Sequence, residues 1–258
     1  MQKLIYCDFD GTITAHDTLD AIADVFGPAD WRERYMALRR QGLAIRDTIR
    51  QELQWCRATR AQIVDVLRSI DIRPGFEEFL RYVREHRYEF VIQSEGIDLA
   101  IQTVLHERGL DDIPFFTNRF VIDQEGRPGT INLYSHPDCH SCGNCKSSHL
   151  IDARETGAAV VYIGDGVTDR CPAQITDVLF ARGGLAKWAA RKHIPFTPFE
   201  TFHDVLDEFR KDDFEARLLA ESRKDAAKKL ILPCKDLFEK DDTLHSPRFL
   251  MKNPRTKT

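Results

Sequence analysis

No apolar run in the 258-residue chain approaches the roughly 20 residues that a membrane-spanning helix requires. Neither sign of charge dominates: 37 Lys and Arg stand against 41 Asp and Glu, a formal net charge of −4. That balance supplies no basic field to collect nucleic acid or an anionic membrane. The seven cysteines are an odd number, which does not close a disulfide framework, and Cys7, Cys56, Cys171 and Cys234 are scattered through apolar or helical segments. Internal repeats are absent. The first residues enter an apolar run directly, with no charged leader or cleavage site, so a soluble cytoplasmic protein without nucleic-acid or membrane partners is expected. The oligomeric state is left open.

What the sequence does contain begins at once. "LIYCDFDGTIT", residues 4–14, ends an apolar run on Asp8 and Asp10 with a single Phe between them. Two carboxylates that close repel, and one takes up a proton unless something positive sits between them. A metal, a reaction or both would explain the pair; a plain turn after a strand, with Gly11 as its glycine, would explain it too.

The rest of the chain has the length for one large α/β domain with an insertion. Residues 18–27, 29–42, 44–56 and 59–70 carry apolar side chains at three- and four-residue spacing and predict four amphipathic helices packed on one another. Pro74 suits a first helical turn, and a helix at 76–86 and a strand "YEFVIQ" follow. A helix near 97–108, a hairpin around Gly126 and Gly129, a helix from Lys146, a strand "AAVVYIGD", a further helix, a strand "DVLFA" and helices near 184–192 and 200–210 complete the pattern. Strands alternating with helices predict a doubly wound parallel sheet, whose ligands bind at the carboxyl ends of its strands. Three of those ends are polar: "YCDFDGT", "VIQSEG" and "YIGDGVTD". The expected organisation is a core of residues 1–15 and 75–210, a helical cap at 16–74, and a charged extension at 211–258, helical to about 240 and disordered over the last dozen residues.

In order along the chain, "DFDGT", Ser94, Lys146 and "GDGVTD" at 164–169 resemble the four motifs of the haloacid dehalogenase superfamily. The helical insert between the first two resembles the phosphoserine phosphatase-like group of that superfamily. The resemblance implies an α/β core with an inserted helical-bundle cap and a Mg²⁺-dependent phosphatase acting on a small phosphorylated metabolite. It casts Asp8 as the nucleophile that becomes an aspartyl-phosphate and Asp10 as the acid and base. Lys146 would neutralise nucleophile and phosphate, and Ser94 with the backbone amides of Glu95 and Gly96 would meet the phosphoryl oxygens. Mg²⁺ would be held by the Asp8 side chain, the Asp10 carbonyl and Asp165, with Asp169 orienting that set. These residue types suit phosphoryl transfer, where positive charge and alignment count for more than covalent novelty.

Some positions depart from the pattern. Phosphoserine phosphatases usually carry Glu where this chain has Asp17, the residue that meets the substrate ammonium. "DFDGTITAHDT" and "CHSCGNCK" leading into Lys146 are instead similar to the branch of phosphatases acting in methionine salvage and their relatives. Glu95 stands where those generally have Gly, so an added carboxylate is expected to line the pocket. Cys139, Cys142 and Cys145, with His136 or His140, have spacings that suit a structural Zn²⁺; a loop of reduced thiols is the alternative. Trp31 and Trp55 are expected in the bundle core. Other activities fit less well: a dehalogenase has no need of Asp10 as an acid, a phosphomutase would return phosphate to a bound sugar, and a receiver-like signalling module lacks the helical insert.

Overall fold

The computed structural model describes residues 1–225. Seven strands form one sheet in the order β4-β3-β2-β1-β5-β6-β7. They are β1 Lys3–Cys7, β2 Glu89–Ile97, β3 Phe115–Ile122, β4 Pro128–Ile131, β5 Ala159–Gly164, β6 Val178–Ala181 and β7 Thr197–Pro198. All neighbours pair in parallel except β3 and β4, which form an antiparallel hairpin. The two-residue β7 is too short to leave an alternating pattern in the sequence.

Successive residues of β1 serve opposite faces, as the period of two in a strand dictates. Ile5 and Cys7 join a cluster with Phe76, Phe79, Phe202 and Phe209 from helices α5 (Phe76–Glu85) and α10 (Phe202–Phe209). Leu4 and Tyr6 join Leu150, Leu185 and Trp188 from α7 (Lys146–Glu155) and α9 (Gly183–Arg191). Burial on both faces is what makes the central strands almost wholly apolar. Helix α6 (Asp98–His106) lies on the first face, and α8 (Arg170–Ala173) follows β5. Helix α11 (Phe214–Asp225) inserts Phe214 and Leu218 into the first cluster, so the start of the charged extension is part of the core packing. The remainder of the expected extension, residues 226–258, lies outside the described residues. Among the described residues no helix is long and apolar enough to cross a membrane.

Between β1 and α5 run α1 Thr18–Phe26, α2 Trp31–Arg40, α3 Ile45–Trp55 and α4 Arg60–Arg68. They share a separate apolar cluster that includes Ile22, Trp31, Ile49, Leu53, Ile63 and Leu67 and reaches the core through Ile97, Leu99 and Phe120. The insert leaves and re-enters the core at one place: Thr14 bridges Ile72, Ala15 N–H donates to Asp71 O at 2.8 Å, and Arg73 N–H donates to Ile13 O at 2.7 Å.

Because β1 starts the chain, and β2–β3 lie on one side of it and β5–β7 on the other, the loops after β1 and β5 diverge. That divergence opens a crevice at the carboxyl ends of the central strands. Phe79 anchors the sheet beneath it, its ring 5.0 Å from Phe209 and 5.6 Å from Phe202. Phe79→Ala is expected to lower the unfolding free energy by about 3–5 kcal/mol, as a large cavity under a packed sheet does; urea denaturation measures it.

Candidate active site

The three polar strand ends meet at this crevice. Asp8 directly follows β1, and its N–H donates to Ile163 O of β5 at 2.9 Å. The chain then makes a wide turn through Phe9–Ile13, with Gly11 at φ 79°. A Cβ at Gly11 would lie 2.7 Å from an Asp165 carboxylate oxygen, so both the backbone conformation and the close approach require glycine. The guanidinium of Arg73 donates to Gly11 O at 2.9 Å and Thr12 O at 3.0 Å, and Arg182 reaches the same Gly11 carbonyl at 2.8 Å.

Lys146, the first residue of α7, is 3% exposed. Its Nζ lies 2.6 Å from Asp8 Oδ1, 2.6 Å from Asp169 Oδ1 and 3.3 Å from Thr168 Oγ1. Burial alone would push its pKa down, but Asp169 and Asp8 outweigh that and hold the ammonium above the ordinary lysine value. Burial and the charge of Asp169 push Asp8 up, while Lys146 pulls it back.

Asp169 spends its acceptor capacity within the site. Besides Lys146, Oδ1 accepts the Tyr162 hydroxyl at 2.6 Å, and Oδ2 accepts the N–H groups of Asp165 at 3.0 Å and Gly166 at 2.8 Å. Asp165 accepts the Thr12 hydroxyl at 3.0 Å; burial and then Asp169 push its carboxyl up to about 7, against the opposing pull of Arg182.

Asp10 is turned away from this cluster. It accepts the Thr18 N–H at 3.0 Å, the Thr18 hydroxyl at 2.5 Å and the Ser94 hydroxyl at 2.9 Å. Burial, then the charge of Asp17, raises its pKa, and the Thr18 and Ser94 hydrogen bonds only partly offset this. Ser94 Oγ also accepts the Gly96 N–H at 2.8 Å. A Cβ at Gly96 would fall 2.6 Å from Asp10 Oδ2.

Asp8, Asp165 and Asp169 place carboxylate oxygens within 4.8 Å of one another, a set able to hold a metal ion. Three buried carboxylates face one ammonium, and a hard divalent cation suits such an oxygen donor set. The expected zinc set does not form. Among the described residues the ligand atoms of Cys139, Cys142, Cys145, His136 and His140 are not gathered into a group of three. The Cys142 side chain packs against the apolar cluster of the helical insert, where burial and the Glu95 charge hold the thiol well above its ordinary pKa.

Two other expected binding residues hold backbone N–H groups. Asp17 caps α1, accepting the N–H groups of Leu19 at 2.9 Å and Asp20 at 3.1 Å. Glu95 is buried and accepts the N–H groups of Gly143 at 2.5 Å and Asn144 at 3.0 Å, which leaves it away from the open pocket wall expected for it. Sequence reasoning missed Thr12, Thr18, Tyr162, Arg73 and Arg182. Thr12 and Thr18 sit inside or next to recognisable motifs, whereas Tyr162 is concealed in an apolar strand.

Burial pushes Glu95 from 4.5 up to about 7, against the two backbone N–H groups that favour its ionised form. A carboxyl raised in the folded state takes up a proton on folding. Its contribution to stability is therefore full below the unfolded value and is lost as pH rises from about 4.5 through about 7. Glu95→Gln does not titrate, so denaturation of the two proteins between pH 5 and 8 isolates this group. The wild type should lose stability relative to the variant by up to about 3 kcal/mol as pH rises; a pH-independent difference would contradict the assignment.

Comparison with known proteins agrees with this geometry. Residues 3–211 match the family described as "Putative Phosphatase". The chain is 34% identical over 208 residues to the 2-hydroxy-3-keto-5-methylthiopentenyl-1-phosphate phosphatase of Brevibacillus brevis, covering 79% of this chain and 93% of that one. The protein of the same name from Bacillus cereus is 33% identical over 217 residues, with 81% and 97% covered. Among solved structures, a phospho-aspartyl intermediate analogue of phosphoserine phosphatase superposes with a TM-score of 0.61 at 19% identity, over 80% of this chain and 98% of that one. A haloacid dehalogenase family hydrolase from Salmonella enterica serovar Typhi gives 0.62 at 19% identity, over 79% and 69%. With the four motifs converging on one buried crevice and the family match running through all of them, the chain belongs to this phosphatase family and carries the haloacid dehalogenase fold.

Proposed function

We propose that the chain is a Mg²⁺-dependent phosphatase of a small phosphate monoester, working through an aspartyl-phosphate on Asp8. Its substrate is 2-hydroxy-3-keto-5-methylthiopentenyl-1-phosphate or a close relative. The observation that carries this reading is the division of labour between two carboxylates one strand period apart. Asp8 is paired with the Lys146 ammonium at 2.6 Å, whereas Asp10 accepts the hydroxyls of Ser94 and Thr18.

The ammonium of Lys146 holds Asp8 Oδ1 and offsets the charge of an incoming phosphoryl group. The other carboxylate oxygen of Asp8 is the nucleophile, which forms a bond to phosphorus as the ester P–O bond breaks. Asp10, raised by burial, gives its proton to the departing alcohol oxygen. As the carboxylate it then takes a proton from the water that attacks the intermediate. Ser94 Oγ, held by Asp10 and the Gly96 N–H, stands at the same strand end to meet a phosphoryl oxygen. Asp169, with four donors on its carboxylate, keeps Lys146 and the 164–169 loop in register. Asp8, Asp165 and the Asp10 carbonyl would hold Mg²⁺, which when bound supplies further positive charge to the phosphoryl oxygens. The α1–α4 insert, residues 16–74, is the cap that excludes bulk water and selects the alcohol portion. The phosphoserine reading is less supported, because Asp17 stands where phosphoserine phosphatases carry the longer Glu.

Asp8→Asn should abolish turnover and leave no acid-stable phosphate on the protein. Asp10→Asn should keep slow phosphorylation by esters of good leaving groups and lose it for alkyl esters, since only the latter need the proton. Quench-flow with labelled substrate reads both, and equal losses for the two ester types would remove Asp10 from the acid role. The substrate itself is tested by phosphate release from a panel of sugar, keto-alkyl, aryl and amino-acid phosphates, before and after chelation. The keto-alkyl esters should lead, and activity lost to chelation should return on adding Mg²⁺. A preference for phosphoserine, or full activity in excess chelator, would overturn the respective assignment.

A further inference from the structure

We propose that Glu95 is a positioning residue that ties the turn preceding Lys146 to the strand end carrying Ser94, and so fixes the spacing of the two groups that meet the phosphate. The inference rests on the phosphatase reading above and replaces a direct role for the Glu95 side chain in substrate binding.

Ser94 lies in the last part of β2, where the register with β3 shifts between Gln93 and Ile97, and Lys146 starts α7, some 50 residues later in the chain, after a hairpin and a long loop. Nothing in the backbone ladder joins them directly. The link is made of side chains. Glu95 Oε1 accepts the Gly143 N–H at 2.5 Å and Oε2 accepts the Asn144 N–H at 3.0 Å. In the reverse direction Asn144 Nδ2 donates to Ser94 O at 3.0 Å and to Phe116 O at 2.9 Å, while its Oδ1 meets the His149 ring at 2.9 Å. Asn118 Nδ2 donates to Glu95 O at 2.7 Å and Gly96 O at 3.1 Å, so the strand end is also held from β3. The turn has no slack at Gly143, where a Cβ would lie 2.4 Å from Asn118 Oδ1.

The chemistry of the link selects glutamate. Two successive backbone N–H groups point at it, and only an ionised carboxylate offers an acceptor to each. Glutamine would turn one NH₂ toward an N–H. Aspartate is one methylene short of the reach. With both oxygens so engaged, Glu95 is not available to recognise a substrate. Its effect on the reaction passes through Lys146 and Ser94, and displacement of either by about 1 Å can cost on the order of a hundredfold in rate.

Such a link, acting on Lys146 and Ser94 alike, predicts a uniform loss. Wild type, Glu95→Gln and Asn144→Ala are assayed at pH 8 on phosphate esters of unlike alcohols, with orthophosphate as inhibitor and thermal denaturation recorded for each. In variants that melt above the assay temperature, kcat/KM should fall by about 10–100-fold, by the same factor for every ester. The orthophosphate inhibition constant should rise in parallel, which a loss of folded protein alone would not produce. The double variant should lose no more than the worse single one, since both cut the same link. A loss confined to particular alcohols would place Glu95 in contact with substrate and overturn the proposal. Unchanged kinetics in a folded Glu95→Gln, or additive losses in the double variant, would overturn it as well. Should Glu95→Gln fail to fold, Asn144→Ala alone decides, and an unaltered inhibition constant there counts against the link. A wild type that releases phosphate from none of the esters overturns the phosphatase reading instead, and this inference with it.

Discussion

One ammonium organises this molecule's chemistry. Lys146 sits, 3% exposed, between Asp8 and Asp169, and removing any one member of such a buried group leaves charge without compensation, a defect that costs several kcal/mol. The surroundings are arranged so that no member is lost. Tyr162 and two backbone N–H groups hold Asp169, the β5 carbonyl of Ile163 holds the Asp8 backbone, and Lys146 opens a helix whose N-terminal dipole adds positive potential. The apolar sheet below is the platform these charges need, since it keeps water out of their shared space and thereby makes each contact stronger.

The contrast between Asp8 and Asp10 follows from how the chain leaves β1. Two residues along, the side chain returns to the same side of an extended strand, yet the turn at Phe9–Ile13 swings Asp10 toward α1 and β2. Asp8 faces a cation and Asp10 faces hydroxyls. Two identical groups thereby acquire different partners, although burial raises the proton affinity of both.

Much of the fold was legible because the central strands are buried on both faces and alternate with strongly periodic helices, and the strand ends at Asp8, Ser94 and Asp165 stood out as polar interruptions of apolar runs. β7 was not legible at two residues. The contacts of Glu95 and Asp17 were not legible for a shared reason: a carboxylate near a site looks like a ligand in sequence, while backbone N–H groups that no residue code records are among the partners of both. The cysteine spacing carried a similar ambiguity. Two-residue intervals fit a metal knuckle, but the loop turns Cys142 into an apolar cluster, and among the described residues these thiols and imidazoles do not form a metal-holding group of three.

The paired segments at Thr14 and Ile72 root the helical insert at a single point. For the core, the insert is thus a closed loop whose ends are already held together. Its length adds a loop-closure entropy of about 0.6 kcal/mol for each doubling, against which the packing of the bundle on Ile97, Leu99 and Phe120 counts separately. The sheet register, set by β1 against β2 and β5, does not pass through it. A different bundle grafted between these two segments would keep that register, but it would have to supply again the two Thr18 donors on Asp10 and the apolar contacts to Ile97, Leu99 and Phe120.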